Sequence, residues 1–307
     1  MVAAKRSAKA PHRRRTRRRV AAQPDHLAPR AIRTAFRAQL AAALDELGKR
    51  APSDEEVHSA RKCIKKARAS LRLLRETLGS TAYRRENQAL RDAARPLSAT
   101  RDAKVLTDVL DFMAKKRAID PASAEALRGA LVRNRKRLDR QIALHSGVAS
   151  SRRALRAVDR RASQWSFARG DGDSVIVALK RIYRRARRAM ATAREERSAE
   201  TLHEWRKEVK YLWHQLQMLQ ALERDTGEIA GTLHELSDFL GQNHDLAVLR
   251  DTVLARRRLF TRSALQAILA QIEKRRVALE RKAFRLGETV FVAKPSSFAE
   301  RFEAPSL

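Results

Sequence analysis

Apolar residues recur at alternating steps of three and four along residues 57–78. This spacing places side chains on one face of an α-helix, so it predicts a helix with a buried apolar face. Ser53 and Glu56 precede the run at the spacing of a capping box, which predicts where the helix begins. The apolar positions are Val57, Ala60, Ile64, Ala67, Leu71, Leu74 and Leu78.

Helical periodicity extends from about residue 27 to residue 287. Alternating β-branched residues, which would indicate strands, occur only at 174–179, a segment too short to indicate a sheet. Ten glycines and eight prolines are few for 307 residues and disfavour a fold with many tight turns. The sequence therefore predicts an all-α fold. Helices are expected at 27–47, from 53 onwards, at 81–117 with a break near Pro96, and at 121–146, 173–196, 198–222, 226–257 and 261–286.

The run at 57–74 has a second copy at 202–219, at a constant offset of 145 residues. A shorter pair of segments, 97–106 and 240–249, follows in the same order. Two blocks repeated in one order indicate a tandem duplication. We expect two tandem four-helix-bundle repeats packed with pseudo-twofold symmetry. The apolar positions of the second copy are Leu202, Trp205, Val209, Leu212, Leu216 and Leu219.

Periodicity weakens between residues 147 and 172, which makes this segment the best candidate for an internal boundary. The basic N-terminal arm has no apolar periodicity, and we expect it to be disordered. The predicted organisation is a basic arm at 1–26, repeat one at about 27–146, a linker at about 147–172, repeat two at about 173–287 and a C-terminal tail at 288–307.

A basic stripe runs beside the apolar positions of each copy, with the order H-x-x-R-K-x-x-K in both. Like charges three and four residues apart on a helix repel each other. A merely solvated face needs neither a repeated order nor a histidine, so the repetition favours a site for a bound anion. Lys, Arg and His side chains donate hydrogen bonds suited to phosphate oxygens. The candidate ligands are His58, Arg61, Lys62 and Lys65, with His203, Arg206, Lys207 and Lys210 in the second copy.

The charge balance supports a polyanionic partner. The chain has 67 Lys and Arg against 35 Asp and Glu, a formal net charge of +32. Aromatic residues make up only 5% of the chain, and none interleaves with the stripe of the first copy. Proteins that read single-stranded nucleic acid usually stack its bases on aromatic rings. A polyanion without bases is therefore favoured, and a nucleic acid that also engages the N-terminal arm stays as the alternative.

The pair His244 and Asp245 raises a third possibility, a metal-dependent phosphohydrolase. Its counterpart in the first copy is Arg101 followed by Asp102, and a guanidinium has no lone pair to offer a metal. The sequence also lacks the G-x-x-x-x-G-K-S/T phosphate loop. We therefore expect no catalytic residues, no metal site, no cofactor and no enzymatic activity.

Taken together, the segments VHSARKCIKKARASLRLL, LHEWRKEVKYLWHQLQML, LSATRDAKVL and LGQNHDLAVL resemble the CHAD family, the conserved histidine α-helical domain. The resemblance covers about residues 27–287 and implies a basic surface or cavity lined by the motif cations. It further implies binding of inorganic polyphosphate and, in bacteria, association with polyphosphate granules. It implies that the eight candidate ligands bind polyphosphate, with Arg68, Arg72, Arg101, His214 and His244 as additions.

The expected location follows from two further features. The single cysteine, Cys63, cannot form an intramolecular disulfide, which suggests a reducing compartment. No apolar run approaches the roughly 18 residues that a membrane span needs. We expect a cytoplasmic protein, associated with polyphosphate granules and without membrane insertion.

Overall fold

The computed structural model describes residues 29–49, 52–97, 99–115, 119–141, 144–168, 172–222 and 225–302, without the side chains of 99–104, 135–141, 144–146 and 172. This part of the chain contains eleven α-helices, one short 3-10 turn and no strand, so the all-α prediction is confirmed. The helices are α1 (Pro29–Glu46), α2 (Asp54–Leu73), α3 (Arg75–Ala94), α4 (Ala99–Lys115), α5 (Pro121–Gln141), α6 (Leu144–Ser163), α7 (Gly172–Glu196), α8 (Ala199–Ala221), α9 (Ile229–Ala255), α10 (Arg262–Val290) and α11 (Pro295–Glu300).

The predicted apolar faces of α2 and α8 are buried. All six apolar positions of the second copy are buried, as are the first six positions of the first copy. Leu78 lies beyond the end of α2 and is half-buried. The predicted capping box begins α2: the Ser53 hydroxyl accepts from the Glu56 backbone N–H at 3.2 Å, and the Glu56 carboxylate accepts from the Ser53 N–H at 2.7 Å.

Two groups of four helices pack in closed order. In the first group α1 packs on α2, α2 on α3, α3 on α6 and α6 on α1. In the second group α7 packs on α8, α8 on α9, α9 on α10 and α10 on α7. The two motif helices, α2 and α8, pack against each other and join the groups. The twofold relation between the groups stays a prediction.

The helices α4 and α5 build a second, smaller core outside the first group. As predicted, the helix breaks near Pro96, and α4 then packs on α5 and on α9. The smaller core also includes the C-terminal part of α9 and the N-terminal part of α10. The meeting of the two cores leaves a cavity beside α2, α8, α9 and α4. Fully buried residues of the smaller core include Leu110, Leu127, Leu249 and Ile272.

The segment predicted as a linker contains a helix, α6, which completes the first group. Its buried positions recur at steps of three and four, but one of them is Ser151. The Ser151 hydroxyl donates to the Ala93 carbonyl of α3 at 2.7 Å, so a polar residue is satisfied inside the core. A serine in the apolar series made the periodicity look weak. The buried positions are Val148, Ser151, Leu155, Val158 and Ala162.

Most of the predicted C-terminal tail also packs into the larger core. The helix α10 continues to Val290, and α11 returns against α7. Tyr183 of α7 stacks on Phe298 with ring centroids 4.1 Å apart, and its hydroxyl donates to the Val290 carbonyl at 2.9 Å. Residues 288–302 are therefore part of the fold.

Candidate functional site

A cavity of about 400 Å³ lies where α2, α8 and α9 meet α4, at the junction of the two cores. Its described lining contains six Lys or Arg side chains, three histidines and one carboxylate, that of Asp245. We call it the basic cavity. The residues that line it are Arg61, Lys65, Arg68, Val105, Leu106, His203, Arg206, Lys207, Lys210, Tyr211, His214, His244, Asp245 and Val248.

The motif helices present cations to the basic cavity because a basic residue follows a buried apolar one. Lys65 follows Ile64 on α2, and Lys210 follows Val209 on α8. One residue turns about 100° around a helix, so the next side chain stands at the edge of the buried face. Both lysines are half-buried there. The two copies of the motif therefore place equivalent cations in one cavity.

Nine of the thirteen predicted ligand residues line the basic cavity. Lys62 is exposed on α2, and His58 is half-buried, but neither lines the cavity. Arg72 does not line the cavity, and its guanidinium packs on the ring of Tyr211, which does. The side chain of Arg101 lies outside the described residues. The nine that line the cavity are Arg61, Lys65, Arg68, His203, Arg206, Lys207, Lys210, His214 and His244.

Two histidines from different helices meet in the cavity wall. The Nδ1 atoms of His203 and His244 are 3.2 Å apart, and the ring centroids are 4.4 Å apart. Burial and the charge of Arg206 lower the pKa of His244 to about 4. Burial, Arg206 and Lys207 also lower the pKa of His203. Without an anion, both imidazoles are therefore neutral near pH 7, and one Nδ1 donates to the other.

The third histidine, His214, is buried in α8 between Trp213 and the cavity. Its Nδ1 lies 3.2 Å from the Gln217 side-chain oxygen, and its ring stacks on Trp213 with centroids 4.7 Å apart. Burial lowers the pKa of His214 to about 4, and nearby Lys210 and Lys66 add to the effect against the opposing hydrogen bond with Gln217. This imidazole also is neutral until an anion offsets the surrounding positive charge.

The sequence profile of the CHAD domain matches residues 31–254, most of the chain. The chain belongs to the CHAD domain family. The match spans α2, α4 and α8 and nearly all of α9, which are the helices that line the basic cavity of this CHAD domain. A comparison with curated proteins found no match.

The CHAD domain also places one aromatic ring, Tyr211, in the cavity wall, which sequence reasoning missed. The Arg72 guanidinium lies 3.7 Å from the Tyr211 ring centroid, and that of Arg68 lies 5.9 Å away. Burial opposes ionisation of the Tyr211 phenol, but the charges of Arg72 and Arg68 outweigh it, so the pKa of Tyr211 lies below its ordinary value. The ring therefore attracts and orders both arginines. The available signal was its place directly after Lys210 in the motif.

Contacts from the α3 side orient the arginines of α2. Arg61 Nη1 donates to the Leu97 carbonyl at 2.6 Å, and Arg68 Nε donates to Asn87 Oδ1 at 3.2 Å. Burial lowers the pKa of Arg68, and the charges of Arg72 and Arg91 lower it further, against the opposing effect of Tyr211. Arg91 of α3 therefore adds to the positive field at the cavity, and no motif in the sequence indicated it.

One carboxylate stands among the described residues that line the basic cavity. Lys207 pairs with Glu204 at 2.7 Å on the exposed side of α8, and Asp245 lines the cavity wall. In the described part of the chain, no three His, Cys, Asp or Glu side chains gather as a candidate metal site. No described helix is long and apolar enough to cross a membrane. The described lining of the CHAD cavity therefore carries more positive than negative side chains.

Proposed function

We propose that this CHAD domain binds inorganic polyphosphate in the basic cavity, without turning it over, and associates with polyphosphate granules in the cytoplasm of a bacterium. The observation that carries the proposal is the convergence of motif cations from both repeats on one cavity. Chains of phosphate present negative oxygens at short intervals, which cations on two facing helices can hold from both sides.

The lining suits this ligand in its chemistry. Arginine offers a planar fork of donors to phosphate oxygens, and lysine offers three donors on one compact charge. Hydrogen bonds to charged groups contribute about 1.5–3 kcal/mol each, so several together offset the cost of desolvating the ligand. Tyr211, the tyrosine in the described wall, has arginines near its face and so serves cations rather than bases.

The competitive test uses fluorescent long-chain polyphosphate on the full-length protein near physiological salt. Unlabelled polyphosphate should displace it, whereas duplex DNA of equal charge concentration should displace it only weakly. Salt dependence alone does not separate the two ligands, because both release counterions. Displacement by DNA as effective as by polyphosphate would exclude the proposal in favour of a nucleic-acid site.

A pair of charge-matched variants tests the location. Lys65→Ala with Lys210→Ala should weaken polyphosphate binding at least about a hundredfold, since two charge-assisted hydrogen bonds are lost. Arg13→Ala with Arg14→Ala removes the same charge from the arm. This variant should change the affinity for polyphosphate less than about threefold. If the arm variant loses binding and the lysine variant keeps it, the basic cavity is not the site.

Absence of turnover is tested separately. Incubation of the protein with polyphosphate and Mg²⁺ or Mn²⁺ should release no phosphate above the protein-free rate. Release that disappears in the Lys65→Ala, Lys210→Ala variant would instead make the cavity a phosphohydrolase site.

A further inference from the structure

The helix α6 carries a second concentration of arginines. Arg153, Arg156 and Arg160 follow one another at steps of three and four, and all three are exposed. No ion pair joins any of them to a carboxylate of the described residues. We call these three residues the α6 arginine row.

Two carboxylates at α6 are bound to arginines outside the row. Asp159 of α6 accepts from the Arg37 guanidinium of α1 at 2.8 and 3.1 Å. Glu86 of α3 is fully buried and accepts from Arg161 at 2.8 and 2.7 Å. These pairs fix α6 between α1 and α3 and leave the α6 arginine row without local compensation.

The α6 arginine row is separate from the basic cavity. In the first group of helices the packing order is α1, α2, α3, α6 and back to α1, so α2 and α6 occupy opposite corners. The cavity lies on the far side of α2, against α8 and α9. The exposed side of α6 therefore faces away from the cavity, and a ligand of one surface does not occupy the other.

The shape of this surface differs from that of the cavity. The row stands on the convex outer side of one helix, where its guanidinium groups remain solvated. From Arg153 to Arg160 the helix rises about 10.5 Å, and one strand of a duplex presents about three phosphates over that length. Three arginines thus match the phosphates of one strand.

The side chains around the row favour a duplex over other anionic partners. No large apolar side chain is exposed on α6 within the described residues. A single strand would need aromatic rings for its unstacked bases, and an amphipathic membrane-surface helix would need apolar anchors. A duplex keeps its bases stacked and needs only cations along its backbone.

We infer that the α6 arginine row binds the backbone of double-stranded nucleic acid without regard to sequence. This surface works independently of the basic cavity, so the protein can hold a duplex and polyphosphate at the same time.

The test compares two charge-matched triple variants of the full chain. The first carries Arg153→Gln, Arg156→Gln and Arg160→Gln. The control carries Arg257→Gln, Arg258→Gln and Arg262→Gln, three exposed arginines at the turn between α9 and α10. Fluorescence anisotropy with a 30-base-pair duplex is measured over a range of salt concentrations, and each variant is also titrated with a short polyphosphate.

The α6 variant should bind the duplex at least about tenfold more weakly than the control variant near physiological salt. The plot of its log affinity against log salt concentration should become less steep. The magnitude of the slope should decrease by about 2.7, or 0.9 for each lost phosphate contact. Short-chain polyphosphate should bind both variants equally. Equal losses of duplex binding in the two variants would show that net charge alone causes the loss, and this would overturn the inference.

Two other results would overturn it differently. If the α6 variant loses polyphosphate binding and keeps the duplex, the row is a second polyphosphate surface. If Lys65→Ala with Lys210→Ala abolishes binding of both ligands, one cavity serves both. Failure of the cavity to bind polyphosphate would leave the duplex measurement unaffected, so each proposal can be refuted without the other.

Discussion

At the level of single residues, the cavity histidines differ from its lysines and arginines because their charge depends on the ligand. The pKa of His214 and that of His244 are both lowered to about 4, chiefly by burial. A phosphate beside an imidazole favours its protonated form and raises these pKa values. We therefore expect polyphosphate binding to be coupled to proton uptake by the cavity.

The sign of the coupling gives a prediction. Because the pKa of each histidine is higher in the complex than in the free protein, its contribution to binding is lost as pH rises through the bound-state pKa. Affinity for polyphosphate should increase from about pH 8 to pH 5, by up to tenfold per pH unit for each histidine that titrates in this window. Calorimetry in buffers of different ionisation enthalpy measures the protons taken up.

Two variants identify the groups responsible. His244→Gln should reduce the proton uptake, whereas His234→Gln, at an exposed histidine outside the cavity, should leave it unchanged. An uptake of zero between about pH 5 and 8 in the unmodified protein would show that the imidazoles do not touch the ligand.

The repeated motif indicated candidate ligand residues in both copies, but the two copies are not fully equivalent in the structure. Lys207 lines the cavity, whereas its counterpart Lys62 is exposed on α2. The helix α9 runs unbroken along α8 and brings His244 over the motif. Its counterpart in the first copy is divided near Pro96 into α3 and α4. Alignment of the two motifs contains no information on this difference in the neighbouring helix.

At the level of helices, the approach of α10 to α7 and α8 depends on a glycine. A Cβ at Gly287 would lie 2.8 Å from Met190 Sδ and 2.8 Å from Trp205 Cζ2. Trp205 is fully buried and precedes Arg206 of the basic cavity. The packing at Gly287 thus fixes the position of α8. Through α8 it also fixes the direction of the Arg206 side chain, a candidate ligand residue.

Alanine at Gly287 is therefore expected to destabilise the fold although it favours helix. Overpacking costs about 1–3 kcal/mol, against a gain of up to about 1 kcal/mol in helix propensity. Gly231 of α9 has nothing within 4 Å of the same test position, so Gly231→Ala should stabilise by about 0.5–1 kcal/mol. Urea denaturation of both variants measures the difference. Stabilisation of similar size at both positions would show that α10 has room to move.

The same glycine explains why the predicted end of the helix at 261–286 was too early. Glycine commonly follows the last turn of a helix, so a helical pattern that reaches Gly287 suggests a boundary there. Here the residue serves close packing instead, and α10 continues to Val290. The helices with uninterrupted apolar series, α2 and α8, were predicted from sequence. The helix α6 was not predicted, because one of its buried positions is Ser151. The Ser151 hydroxyl can be buried only because it donates to the Ala93 carbonyl of α3.

At the level of the whole molecule, a formal charge of +32 stores repulsion in the compact state. Six cations around one cavity concentrate part of this repulsion at the junction of the two cores. A bound polyanion relieves the repulsion and also binds only the folded state. Stability and ligand binding are therefore linked through the same charges.

Salt should consequently raise the stability of the free protein and reduce the extra stability that polyphosphate adds. Screening shortens from about 30 Å at 0.01 M salt to about 3 Å at 1 M, so added salt should raise the Tm of the free protein. Polyphosphate at 100 times its Kd should stabilise by about 2.7 kcal/mol at low salt, and this increment should shrink as salt weakens binding. Thermal unfolding followed by circular dichroism at 222 nm measures both trends.

Lys65→Ala with Lys210→Ala should lose the increment from polyphosphate and keep the salt response of the free protein, because most of the net charge remains. A polyphosphate increment that persists unchanged in this variant would place the stabilising contacts outside the basic cavity.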